Sequence, residues 1–131
     1  MMKEIILPQK LSKPRGRYSH GVLVKPGYLL FIAGQTSVDA EGNVVGIGDA
    51  YSQTKKIYEN IGMILSEAGG TFSDIVKTIT FITDISFREK VNEIRSQYFK
   101  KDFPASTLVV VKGLAREEFL VEVEAIACIE K

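Results

Sequence analysis

From Phe119 to Cys128 the chain alternates with period two. Phe119, Val121, Val123, Ala125 and Ala127 fall on one face of a strand, and Leu120, Glu122, Glu124, Ile126 and Cys128 on the other. Two carboxylates set among Leu, Ile and Cys do not make an ordinary solvated face. That face is expected to be half wet, or to meet another surface where a carboxylate has a task.

Further strands are expected at residues 3–7, closed by Pro8, and at 18–24, with Pro26-Gly27 as the turn signal. The run 28–33 is continuously apolar, as in a strand buried on both faces, and stops at Gly34. Residues 75–83 alternate β-branched side chains and suit a central strand, and Pro104 launches another at 105–111. A first helix is expected to start at Asp49, an N-cap residue, with Ile57, Ile61, Ile64, Leu65 and Ala68 as its apolar stripe and Gly69-Gly70 as its stop. A second opens on Ser86-Phe87-Arg88-Glu89, which fits a capping box, with the stripe Phe87, Val91, Ile94, Tyr98 and Phe99. The order is β-β-β-α-β-α-β-β, a single α/β (α+β) domain over residues 1–131 without repeat or linker.

Two amphipathic helices can cover only one face of a sheet of five or six strands. Several strands are apolar on both faces, and a monomer rarely leaves such a face bare. Another copy of the chain is the simplest cover, which would put Glu122 and Glu124 near a subunit boundary, either paired, hydrogen-bonded or lining a wet cleft. Seventeen basic against sixteen acidic side chains give a net charge of +1, so no bulk field favours nucleic acid or an anionic membrane. A lone Cys128 and the lack of a basic-then-apolar leader or a membrane-length apolar run lead us to expect a cytoplasmic protein.

One His and one Cys are too few for a His/Cys metal cluster, and no phosphate-binding glycine loop ends in Gly-Lys-Ser/Thr. Asp39, Asp49 and Asp84 read as turn or cap residues, His20 as a strand residue with a local hydrogen bond, and Cys128 as a small packed hydrophobe. Tyr18, between Gly16 and Gly21, suits equally a packing aromatic or a phenol projecting into a pocket.

Six stretches, in order and spacing, resemble the Rid family (reactive intermediate deaminases, also called YjgF-like or L-PSP endoribonuclease-like proteins). They are Gly16-Arg17-Tyr18-Ser19-His20-Gly21-Val22, Ile32-Ala33-Gly34-Gln35, Ala68-Gly69-Gly70, Asp74-Ile75-Val76-Lys77-Thr78, Phe103-Pro104-Ala105, and residues 121–127. The resemblance spans nearly the whole chain. It implies a chorismate-mutase-like fold and a homotrimer whose sheets form a central barrel, with a ligand cleft at each subunit boundary. It also implies hydrolysis of 2-imino acids or their enamine tautomers to ammonia and a keto acid, with no cofactor. Such chemistry asks a protein to hold the substrate carboxylate, place a water and move a proton.

Carried over by position, Glu122 handles water and proton and Tyr18 orients the ligand, while Gly34 and the backbone near Leu108 line the cleft. The family's carboxylate-binding arginine after Pro-Ala is Ser106 here, which can supply neither the charge nor the bidentate fork. Arg17, where relatives usually have proline, is one candidate to replace it, beside its plainer reading as an exposed loop arginine; Lys112 is another. Glu122 equally suits a structural carboxylate closing a hydrogen bond across the boundary. Three functions compete: a deaminase or hydrolase of small imines or enamines with altered specificity, a non-catalytic trimer binding small carboxylate or imine metabolites, and RNA cleavage or translation inhibition. A single His and no basic run rank the last of these lowest.

Overall fold

The computed structural model of the chain describes residues 3–25 and 27–130. Strands β1 (Lys3–Ile6), β2 (Gly21–Val24) and β3 (Tyr28–Gln35) are followed by helix α1 (Ala50–Glu67), β4 (Ile75–Ile82), α2 (Arg88–Tyr98), β5 (Ala105–Val110) and β6 (Val121–Ile129). The element order is the expected one. Pro26 of the anticipated turn lies outside the described residues.

The six strands divide into an antiparallel β1-β2 pair and a four-stranded mixed sheet in the order β3-β6-β4-β5, rather than one sheet of five or six. Among the described strands β4 and β5 pair in parallel and the other pairs are antiparallel. A bridge between Ser19 and Ala105 joins the segment before β2 to the β5 edge of the larger sheet. β4 is central, as its alternation suggests, and β6 lies beside it between β3 and β4.

The run 28–33 is not doubly buried in the single chain. β3 is an edge strand, and its Leu29 and Phe31 are 56% and 70% exposed, whereas Ile32 on the opposite face is in the core. The continuous apolar pattern reports two faces that avoid water, of which the chain itself covers one.

Helix α1 starts where its cap places it: the Asp49 carboxylate accepts from the Tyr51 and Ser52 amides, and the Ser52 hydroxyl, also bonded to it, holds its pKa below the usual carboxylate range. At the other end Gly69 takes φ +81°, which lets the Gly70 amide bond back to the Leu65 carbonyl at 2.8 Å. Helix α2 departs from expectation. Asp84 accepts from the Ser86 amide at 2.8 Å and starts a 3-10 turn over Ile85–Phe87, so the Ser86–Glu89 capping box does not form and the α-helix begins at Arg88. A capping box needs extended backbone at its serine, and Ser86 is already inside the turn.

Ile57, Ile61 and Leu65 of α1, Val91 and Ile94 of α2, and Val121, Val123 and Ala125 of β6 form one core. Tyr58 is buried within it and stacks on Tyr98 with ring centroids 5.2 Å apart. Both helices therefore cover the same face of the sheet. The opposite face carries Leu29 and Phe31, then Cys128 and Ile126 opposite them on β6, with Glu124 and Glu122 continuing along that strand.

The start of β6 is fixed from α1. The buried Gln53 side chain donates to the carbonyls of Gly46 (3.1 Å) and Glu118 (2.9 Å) and accepts from the Leu120 amide (2.9 Å). Gln53→Leu would leave three backbone groups without partners in a dry site. We expect it to cost about 2–4 kcal/mol in urea unfolding; a loss below about 0.5 kcal/mol would show that the clamp is dispensable.

Candidate functional site

The segment before β2 is tied to the start of β5. The Ser19 amide donates to the Pro104 carbonyl at 3.1 Å and its hydroxyl to the Phe103 carbonyl at 2.6 Å. Ser19 is buried by these contacts, so its neighbours Arg17 and Tyr18 are delivered to the wall of a cleft that Ser106 and Leu108 of β5 also line. Tyr18 stands edge-on to His20, ring centroids 6.1 Å apart. His20 itself lies in a bend after the bridge rather than within a strand, and its Nε2 meets the Ser12 carbonyl at 2.6 Å, the local bond anticipated for it.

The cleft measures about 490 Å³, within the range of small-molecule sites. Five cationic residues (Lys13, Arg15, Arg17, Arg88 and Arg95) are among those that line it, and no acidic residue among the described ones is. In a chain of net charge +1 that is a local concentration of basic residues around one space. A larger groove of about 730 Å³ lies beside it on the other side of Tyr18, lined mainly by apolar side chains such as Ile5, Leu7 and Leu11. Its polar side chains include Lys13, His20 and Asp102, a mixed set without the five basic residues of the smaller cleft, which is the better candidate for an anion.

Two of the arginines are committed in different ways. Arg17 donates from Nη1 to the Phe99 carbonyl at 3.1 Å and lies 5.6 Å from the centre of the Phe103 ring. Arg95 is only 5% exposed. Its Nη1 donates to the Tyr58 phenol and to the Thr78 hydroxyl, both at 3.1 Å, and its Nη2 to the Arg17 carbonyl at 3.0 Å. Burial pushes the Tyr58 phenol up from its ordinary pKa, so the oxygen facing Arg95 belongs to a neutral group. The Thr78 hydroxyl in turn donates to Ser106 Oγ at 3.1 Å, which links Ser106 to Arg95 through one side chain. On the same wall Thr80, 1% exposed, has a buried Oγ1 without a hydrogen-bond partner among the described residues.

Glu122 and Gly34 also come together, but elsewhere. Ser106 pairs in register with Thr78, and Glu122 with Phe81 three residues further along the same strand, so Ser106 and Glu122 stand on opposite faces of the sheet. Ser106 faces the helices; Glu122 lies on the face they leave open. A bulge in β3, where Ile32 pairs with Ala125 and Gln35 with Val123, brings Gly34 against Glu122. A Cβ at Gly34 would run into the Glu122 carboxylate. The carboxylate accepts no hydrogen bond from the described residues. Gly34→Ala is therefore expected to push the Glu122 side chain aside with little change in melting temperature, because what it meets is the far end of a flexible side chain; a fall of several degrees would show that the backbone has to move instead.

Of the residues singled out from sequence, Tyr18, Arg17, Ser106 and Leu108 thus share one cleft, Gly34 and Glu122 share a second place, and Lys112 lines neither. Arg95, Arg88, Asn92 and Thr80 were not anticipated. Arg95 left one readable sign: it follows Val91 by four residues and adjoins Ile94, so it sits inside an apolar stripe where a cation has no ordinary reason to be.

A family profile described as Endoribonuclease L-PSP matches residues 9–129. A RutC family protein of Pyrococcus abyssi is 41% identical over 127 residues, covering 97% of this chain and 98% of that protein. The 3-aminoacrylate deaminase RutC of Acinetobacter baylyi is 33% identical over 127 residues, with the same shares covered. Among solved structures, the Rid family protein YyfB of Yersinia pestis superimposes with a TM-score of 0.91 at 31% identity, covering 98% of this chain and 100% of that one.

Proposed function

Because the chain belongs to the endoribonuclease L-PSP family, which the Rid and RutC proteins share, we propose that it is a cofactor-free hydrolase of small imine or enamine carboxylates. The reaction takes place in a cleft that is completed by a neighbouring copy of the chain within a trimer. The observation that carries this reading is a cleft lined by five basic residues and, among the described residues, by no acidic one. Support for the reaction type comes from the deaminase relative at 33% identity.

An imine carbon is already electrophilic, so the protein needs no covalent intermediate. Water adds to the C=N carbon as Glu122 takes one of its protons and passes it to the imine nitrogen, which gives a neutral carbinolamine. Glu122 then takes the hydroxyl proton as C=O forms and hands it to the departing nitrogen, which leaves as ammonia. An enamine joins the same route after protonation at its β-carbon. The cationic cleft fixes the substrate carboxylate, and Tyr18 sits at its edge to orient the rest.

One chain keeps Glu122 and Ser106 on opposite faces of its sheet, so this chemistry requires the Glu122 of one copy to meet the cleft of the next. The uncovered apolar face containing Phe31 and Leu29 supports such an association. A cleft of about 490 Å³ suits a metabolite better than a strand of RNA.

The test is ammonia and keto-acid release from 2-iminobutanoate, generated in place by an amino-acid oxidase, and from a panel of short enamine carboxylates. Acceleration over buffer is expected for at least one of them. Binding of the corresponding keto acids with no acceleration across the panel would favour a metabolite-binding trimer instead, and RNA binding that falls steeply with salt would favour the ribonuclease reading.

A further inference from the structure

We propose that the anion bound in this cleft is anchored by Arg95 of helix α2, with the hydroxyls of Ser106 and Thr80 as neighbouring donors. The inference rests on the cleft being the ligand site and deepens that reading by assigning the residue that recognises the carboxylate.

Arg95 is a buried cation whose three hydrogen bonds all go to neutral oxygens. A guanidinium has five N–H donors, so two remain for another acceptor. A buried charge without a counter-charge is costly, and a structural arginine at such a depth ordinarily meets a carboxylate. Here the described residues supply none to the guanidinium, and the cleft it lines has none either. The Phe99 ring, 4.9 Å from its Cζ, gives partial compensation only.

Thr80 presents a second deficit on the same wall, a buried hydroxyl with nothing to bond. Such groups are uncommon in folded proteins, and each calls for an explanation. Ser106 completes the set: its Oγ already accepts from Thr78, so its own proton is available to a ligand. One anion with two acceptor oxygens would meet the missing charge and the missing hydrogen bond together. A carboxylate does so, and Leu108 and Ile85 on the cleft wall leave an apolar side for a short alkyl chain. The ligand class is a small 2-oxo or 2-imino monocarboxylate.

Arg17 and Arg88 also reach the cleft, but both are exposed and solvated, and Arg17 spends a donor on Phe99. A desolvated and immobilised guanidinium recognises a carboxylate more strongly than a mobile surface one.

Calorimetric titration of the assembled protein with 2-oxobutanoate, and with neutral 2-butanone as control, tests this. Arg95→Met should weaken 2-oxobutanoate binding about thirtyfold or more and leave the control unaffected. Because Ser106 lies one hydroxyl away from Arg95, adding Ser106→Arg to that variant should restore affinity to within about tenfold of the original, which a purely structural loss would not allow. Thr80→Val keeps the side-chain shape, so it should weaken binding roughly tenfold without lowering the melting temperature.

Undiminished binding by folded Arg95→Met overturns the proposal, as does absence of anion binding by the unaltered protein. Should Arg95→Met fail to fold, undiminished binding by Thr80→Val overturns it in the same way. The two readings fail separately: Arg95-dependent binding without ammonia release retires the deaminase and keeps the anchor, while ammonia release with Arg95-independent binding does the reverse.

Discussion

Replacing Glu122 with glutamine is expected to lower kcat on the best imine or enamine substrate by about 10²–10⁴-fold, the usual contribution of a positioned acid–base group. Affinity for the matching keto acid should stay within a few fold, because the anion is held elsewhere. The expectation follows from where the carboxylate stands. It is half-buried on the open face of the sheet, receives no hydrogen bond from the described residues, and faces a glycine whose missing side chain keeps its place clear. A carboxylate kept for structure would be satisfied within its own fold or across a subunit boundary. Glutamine preserves the size and one acceptor oxygen, so a purely structural Glu122 would tolerate the change and kcat would barely move. Comparing kcat with keto-acid affinity therefore decides between the two roles.

For the proposed trimer, Phe31→Asp should leave single chains and remove the proposed turnover with the assembly. Phe31 is 70% exposed in the chain by itself and pairs in register with Ile126, with Leu29 on the same face. Burying one such aromatic contributes about 1.5–3 kcal/mol, and in a symmetric assembly every copy contributes it. An aspartate there forfeits that gain and adds the cost of dehydrating a charge. The chain's own fold should survive, because Phe31 points away from the core that the helices cover. Circular dichroism should thus change little while sedimentation shows loss of the assembly. A monomer with full activity would show that the open face has nothing to do with the site.

Much of this was legible in the sequence for identifiable reasons. Asp49 and the Gly69-Gly70 pair mark the ends of α1 through local backbone chemistry, and the period of Ile57, Ile61 and Leu65 gives the buried face. The alternation in β6 separated the core-facing valines from Glu122 and Glu124. What periodicity leaves open is context. The apolar run in β3 is consistent with burial on both faces, and the single chain covers one of them, because hydrophobicity records that a face avoids water and not whose surface covers it. The capping box at Ser86 lost to Asp84, two residues earlier, whose carboxylate captures the Ser86 amide first. The division of six strands into four and two depends on tertiary pairing that periodicity does not encode.

The site was half legible. Tyr18, Ser106 and Leu108 converge because Ser19 clamps their two segments together, and Gly34 meets Glu122 because of a bulge. Arg95 is not legible in the same way, because a charged residue on a helix usually reads as solvent-facing, and only the packed structure puts its guanidinium between Tyr58, Thr78 and the cleft.

The central claim is that each catalytic centre joins the Glu122 of one copy to the Ser106 cleft of another. Its most direct test is complementation. Glu122→Gln and Ser106→Trp, the second chosen to fill the cleft, should each be inactive alone. Unfolded together in equal amounts and refolded, they should recover about a quarter of the unmodified activity, the fraction of seams that draw both intact halves from different copies. Recovery near that level is the expected result. No recovery from mixed assemblies that contain both chains would mean that each centre lies within one copy, and would contradict the account.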